Sequence, residues 1–210
     1  MYKYLDQLFP NVEREIKRLF KTFTNVANFD ELNTLSKKTS ELYSTLSDVN
    51  IRFYLKIAQS AYDKAFKEGL EFKGDTKDFN SYRNELTKAW LLLSVLSAFN
   101  PVTGYVYKNE VDRKRARFYE MLVATMKIAP SNKVAFQHWK RQTLEYAISV
   151  VDEATIQGFK DAGVEYVIRK SQNDARVCEK CRALNNKKYR IDKIPPKTHY
   201  NCRCYYIPSN

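Results

Sequence analysis

Cys178-Glu-Lys-Cys181, then seventeen residues, then His199-Tyr-Asn-Cys202-Arg-Cys204, is the pattern in this chain best suited to chemistry. A C-x2-C pair sets two thiolates on one turn, close enough to share a tetrahedral ion. The second half brings three more donors within six residues. A strand through Cys202 and Cys204 would turn both to one face, because strand side chains alternate. Five donors (Cys178, Cys181, His199, Cys202 and Cys204) therefore compete for four places. Four thiolates, or three thiolates and an imidazole, both suit zinc. A site with four protein donors leaves no position for water, so the expectation is one structural zinc per chain. Inert buried thiols, disulfides and a redox dithiol are the competing readings. The first 177 residues lack cysteine, and clustering beside a histidine favours metal. No βαβ pattern surrounds Cys178, which weighs against a thioredoxin-like dithiol.

Catalytic signatures are otherwise poor, and the expectation is a protein that is not an enzyme. His138, in Phe136-Gln-His-Trp-Lys140, reads as a structural residue within a helix. There is no GxSxG elbow, phosphate-binding glycine loop or HExxH. Glu110, Asp112 and Glu120 are interleaved with Arg113, Lys114, Arg115 and Arg117, a pattern of ion-paired helix faces. The formal charge of +12 points to an acidic partner such as nucleic acid, anionic lipid or an acidic protein surface, the competing reading being lysines that serve only solubility. Tyr189, Tyr200, Tyr205 and Tyr206 beside the basic tail could stack bases or serve as core and interface anchors.

The elements that must position the cluster read as mainly α. With 210 residues, 44% hydrophobic and only 5 Gly, the chain is long enough for one sizeable domain or two small ones. A first helix is expected from about Tyr2 to Thr24, with Pro10 as a point of interruption and Val12, Ile16, Leu19 and Phe23 as its stripe. Asn28 or Asp30 caps a second, carrying Leu35, Leu42, Leu46, Val49, Phe53 and Ile57 to about Lys67, with Gly69 and Gly74 as stops. A third from Asn80 or Ser81 ends at Phe99 before Pro101, a fourth spans Glu110 to Lys127, and a fifth spans Ser131 to Phe159. Val164 to Lys170 and Cys202 to Ile207 alternate like strands that could pair. The expected architecture is a bundle of about five long helices over 1–160, followed by a small α+β zinc-knuckle module over 161–210. A module that small has little core of its own and needs the metal as a staple.

Met1 to Phe9 carries Lys3 and Asp6 and does not read as a secretory signal. The uncharged run from Ala89 to Tyr107 is broken by Asn100, Pro101 and Gly104. Its apolar part is about half the ~20 residues a bilayer crossing needs, so no membrane span is expected.

One set of motifs comprises Asn100-Pro-Val-Thr-Gly-Tyr-Val-Tyr107, Glu110, Asp112-Arg-Lys-Arg-Ala-Arg-Phe-Tyr-Glu120, Trp139-Lys-Arg-Gln142 and Ala162-Gly-Val164. It continues through Asp174-Ala-Arg-Val-Cys-Glu-Lys-Cys181, Pro195-Pro196 and His199-Tyr-Asn-Cys-Arg-Cys204, the most specific part. Taken together, these motifs resemble the tailed-phage minor head proteins of the Mu-F-like head morphogenesis family. The resemblance lies in both halves of the chain. It spans about residues 80 to 208. It implies a virion or procapsid component in few copies, in the host cytoplasm during assembly. The implied partners are the portal protein, scaffold or major capsid protein, and packaged DNA, with a role in packaging or ejection. It implies no catalytic residues. The zinc assignment comes from the cysteines of this sequence, since many relatives differ where Cys178 and Cys181 stand. The alternative expectation is a cytoplasmic nucleic-acid-binding zinc module.

Overall fold

The computed structural model describes residues 3–26, 32–74, 133–172, 177–195, 197–198 and 202–210. They are mainly helical, with a small antiparallel sheet and a cysteine cluster. Helix α1 is Lys3–Val26, α2 is Leu32–Lys73 and α3 is Lys133–Asp161. They are followed by strand β1 (Tyr166–Lys170), the short helix α4 (Glu179–Ala183), β2 (Lys188–Arg190) and β3 (Tyr205–Ser209). The expected helices over 80–99 and 110–127 lie outside the described residues.

Helix α1 runs through Pro10 without the expected interruption. Proline removes one backbone bond there. Burial of Leu5 and Phe9 on one side of it and Ile16, Phe20 and Phe23 on the other holds both turns against the same neighbours. Phe9 meets Phe53 of α2 at 5.9 Å between ring centroids, and Phe20 meets Phe136 of α3 edge-on at 6.0 Å. On α2, Leu42, Leu46, Val49, Phe53 and Ile57 of the expected stripe are buried, and the side chain of Leu35 lies outside those described.

Gly69 does not stop α2. It permits a close crossing instead: a Cβ there would lie 2.6 Å from the Ala162 Cβ, just beyond α3. Gly158 of α3 plays the matching part, since its Cβ would lie 2.7 Å from the Tyr62 carbonyl oxygen and 2.9 Å from the Ala65 Cβ. The helix ends at Gly74, whose φ of +67° suits a residue without a side chain. Helices α2 and α3 lie side by side and run in the same direction. Buried polar groups fix their register: the Asn50 amide donates to Thr143 Oγ1 at 3.0 Å and Tyr54 OH to the Thr143 carbonyl at 3.1 Å. Further along, Tyr62 OH donates to Asp161 Oδ2 at 2.7 Å.

The turn from α3 into the sheet is a Schellman motif. The Val164 N–H reaches the Phe159 carbonyl and the Gly163 N–H the Lys160 carbonyl, both at 2.9 Å, with Gly163 at φ +78°. The two expected strands do pair, antiparallel, with Val167 opposite Pro208 and Arg169 opposite Tyr206. The third strand, β2, went unanticipated and joins the other edge of β1, giving the order β2-β1-β3. Pro208 is tolerated because β3 is an edge strand. Val164, Val167 and Tyr206 share a buried cluster with Ala65 of α2 and Phe159 of α3, so the sheet closes over the end of the helix pair.

Candidate metal centre

Three of the five expected donors come together. The Sγ atoms of Cys181, Cys202 and Cys204 all lie within 4.8 Å of one another, and all three residues are buried. The Cys181 and Cys202 sulfurs are 3.4 Å apart. Around a tetrahedral ion with bonds of about 2.3 Å, sulfurs stand about 3.8 Å from each other. The cluster therefore has the dimensions of three corners of such a site, and these cysteines lie close enough to bind a metal ion.

Two local devices deliver the donors. Cys178 caps the N-terminus of α4 with extended backbone, and its Sγ accepts the Cys181 N–H at 3.4 Å. That bond closes the C-x2-C turn and aims Cys181 inward. Cys178 itself is half-buried and packs at the margin of the three-cysteine cluster. Cys202 and Cys204 do not lie on a strand as expected. They occupy the segment leading into β3, and both still reach the same cluster. His199 lies outside the described residues.

Two basic residues that the donor pattern does not include complete the surroundings. Arg169 on β1 is fully buried, with Nη2 3.6 Å from Cys202 Sγ and 3.9 Å from Cys181 Sγ. Burial opposes its charge, but Cys204, Tyr206 and Cys202 more than compensate and hold the guanidinium protonated. Lys197 pairs with the buried Asp152 of α3, Nζ to Oδ2 2.9 Å. The same ammonium donates to the Cys202 carbonyl at 3.3 Å and to the Cys204 carbonyl. Lys197 thus ties the cysteine segment to the long helix. Alternation along β1 holds a signal for Arg169, since it shares the inward face with Val167. Nothing in the spacing around Lys197 marks it.

The thiols are electrostatically unequal. Burial pushes Cys181 up, and its neighbour Thr198, with Oγ1 3.0 Å from the sulfur, only partly offsets this. Burial acts on Cys202 in the same sense but is outweighed by the Cys204 backbone N–H, by Cys181 and by Lys197, so Cys202 falls below the usual thiol range. Cys202 is thus the more readily ionised of the two sulfurs and Cys181 the less.

Comparisons with family models, with curated proteins and with solved structures find no match for this chain. Among the described residues no helix is long and apolar enough to cross a membrane.

Proposed function

We propose that this chain is a minor head protein of a tailed phage. In this reading it associates with the portal vertex during procapsid assembly and acts in DNA packaging or ejection. One structural zinc per chain, held by Cys181, Cys202, Cys204 and a fourth donor from Cys178 or His199, staples its C-terminal module. The observation that carries the reading is the meeting of the two ends of the C-terminal motif, the part of the sequence most like that family. Cys181 comes from one end, Cys202 and Cys204 from the other, and they share one buried cluster. Closed by a fourth protein donor, such a site would suit a scaffold role better than water activation.

The experiment is to locate the protein in purified procapsids, filled heads and emptied particles, and to wash procapsids at rising ionic strength. A packed portal interface predicts retention with the portal at high salt, because such contacts are screened far less than exposed ion pairs. Absence from all particles refutes the reading. The second reading, a nucleic-acid-binding zinc module, is favoured by one observation: Lys180, Arg182, Lys187, Lys188 and Lys193 are all exposed on and beside α4 and β2. It predicts DNA binding by the isolated protein that falls steeply with salt.

A further inference from the structure

The one fully buried cation of the described residues stands at the thiol cluster, and it is not one of the expected donors. Arg169 projects from the inward face of β1, with Val167 two residues earlier packed into the core shared by sheet and helices. Its Nη2 approaches the Cys202 and Cys181 sulfurs at 3.6 and 3.9 Å. Its Nε and Nη1 have no hydrogen-bond partner among the described residues, and no described carboxylate forms an ion pair with it. A guanidinium removed from water requires a counter-charge. Neutral thiols are weak acceptors and supply none, whereas thiolates supply it directly.

We propose that Arg169 is a positioning residue of the metal centre, holding the Cys181 and Cys202 thiolates by N–H···S bonds and offsetting the negative charge of the metal–thiolate cluster. The inference rests on the metal reading above and adds a residue to it. Three thiolates around a divalent ion sum to one negative charge, which one guanidinium cancels when the fourth donor is a neutral imidazole. A fourth thiolate leaves one negative charge after the same compensation. In either case Arg169 lowers the cost of enclosing the cluster beneath the sheet. Nη2, donating to both, also restrains the two sulfurs, which approach from separate segments and share no backbone connection shorter than the chain between residues 181 and 202. Outer partners of this kind orient metal ligands and tune their affinity.

The test uses the full chain as wild type, Arg169→Lys, Arg169→Gln and Arg169→Met. Zinc and cobalt affinities are measured by competition with a chromophoric chelator, and the cobalt forms are examined by absorption. Gln and Met are expected to weaken metal binding by about 10- to 100-fold. Met, which has no N–H to donate, is also expected to move the sulfur-to-cobalt charge-transfer band to lower energy, and Gln, which keeps an amide donor but no charge, to move it less. Lys is expected to recover part of the affinity. Folded Gln and Met variants with affinities within about threefold of wild type and an unmoved band would overturn the proposal. A second measurement needs no variant: cadmium loading of wild type should shift the Arg169 guanidinium NMR signals and slow their proton exchange. Signals indifferent to cadmium would also overturn it. A wild-type chain that binds neither zinc nor cobalt removes the metal reading and this inference together, whereas binding with indifferent variants removes this inference alone.

Discussion

Removing the Lys197 ammonium should loosen the cysteine segment from α3 and destabilise the whole fold. Lys197 Nζ and Asp152 Oδ2 are 2.9 Å apart, with side-chain exposures of 20% and 9%. Opposite charges at that separation attract by about 6 kcal/mol at an effective dielectric constant near 20. Desolvation of both groups consumes much of this, so the pair adds little over a well-packed apolar pair. Removing one partner is a different matter, because the buried carboxylate keeps its desolvation cost and loses its lysine. Lys197→Met should therefore cost about 3–5 kcal/mol, a fall of about 6–20 °C in Tm for a chain of this size. The same substitution deletes the donor to the Cys202 and Cys204 carbonyls, so alkylation of the cysteines in the metal-free protein should accelerate. Asp152→Asn should be milder, since the amide oxygen still accepts from Lys197. The double variant Asp152→Leu/Lys197→Met should recover most of the lost stability. Thermal unfolding by circular dichroism and a thiol-trapping time course read both consequences. If the double variant is as unstable as Lys197→Met, the penalty does not arise from an uncompensated buried charge and the reasoning fails.

Purified without chelator, the protein should carry about one zinc per chain, and Cys181→Ser, Cys202→Ser or Cys204→Ser should lose it by elemental analysis while the helical signal persists. Metal affinity should rise with pH: the Cys181 thiol is pushed up by burial and stays protonated in the metal-free chain at neutral pH. Its proton must leave on binding, so below its pKa the affinity should climb about tenfold per pH unit for that proton alone, while a pH-independent affinity would contradict the buried thiol. Gly158→Ala should destabilise by about 1–2 kcal/mol in chemical denaturation, because overpacking against the Tyr62 carbonyl oxygen exceeds the helix-propensity gain of about 1 kcal/mol. Tyr206 is pushed up to about 12 by burial. Its folded-state pKa exceeds the unfolded value, so its contribution to stability is full below about pH 10 and is lost as pH rises toward 12; Tyr206→Phe should flatten that alkaline fall.

The long helices were legible because their signal is local. The spacing from Leu42 to Ile57 identifies the buried face of α2 without knowledge of what covers it, since a helix presents every third or fourth residue to one side. The alternation at Val164 to Lys170 likewise identified β1, and the C-x2-C spacing identified a knuckle whose second cysteine is now found buried among thiols. Gly69 was misread because glycine has two uses, and sequence does not separate a helix stop from a close crossing. Only the approach of Ala162 to 2.6 Å of its missing Cβ decides between them. Pro10 was misread for a related reason: the loss of one backbone bond is local, while the burial that outweighs it comes from α2 and α3.

What the sequence determined by itself was the donor set: which residues could bind a soft divalent ion, and that they fall in one basic C-terminal stretch. Ligand chemistry belongs to side-chain type and short spacing, and both survive in a linear reading. What only tertiary structure decided was which donors meet, and in what company. Cys181, Cys202 and Cys204 converge because β1, α4 and the segment before β3 are folded against one another, over a sequence separation that no periodicity spans. In a chain carrying 36 Lys and Arg, Arg169 is marked only by the alternation of β1 and Lys197 by nothing. They become the buried guanidinium at the thiols and the link to Asp152 only because desolvation and charge pairing depend on distances through space.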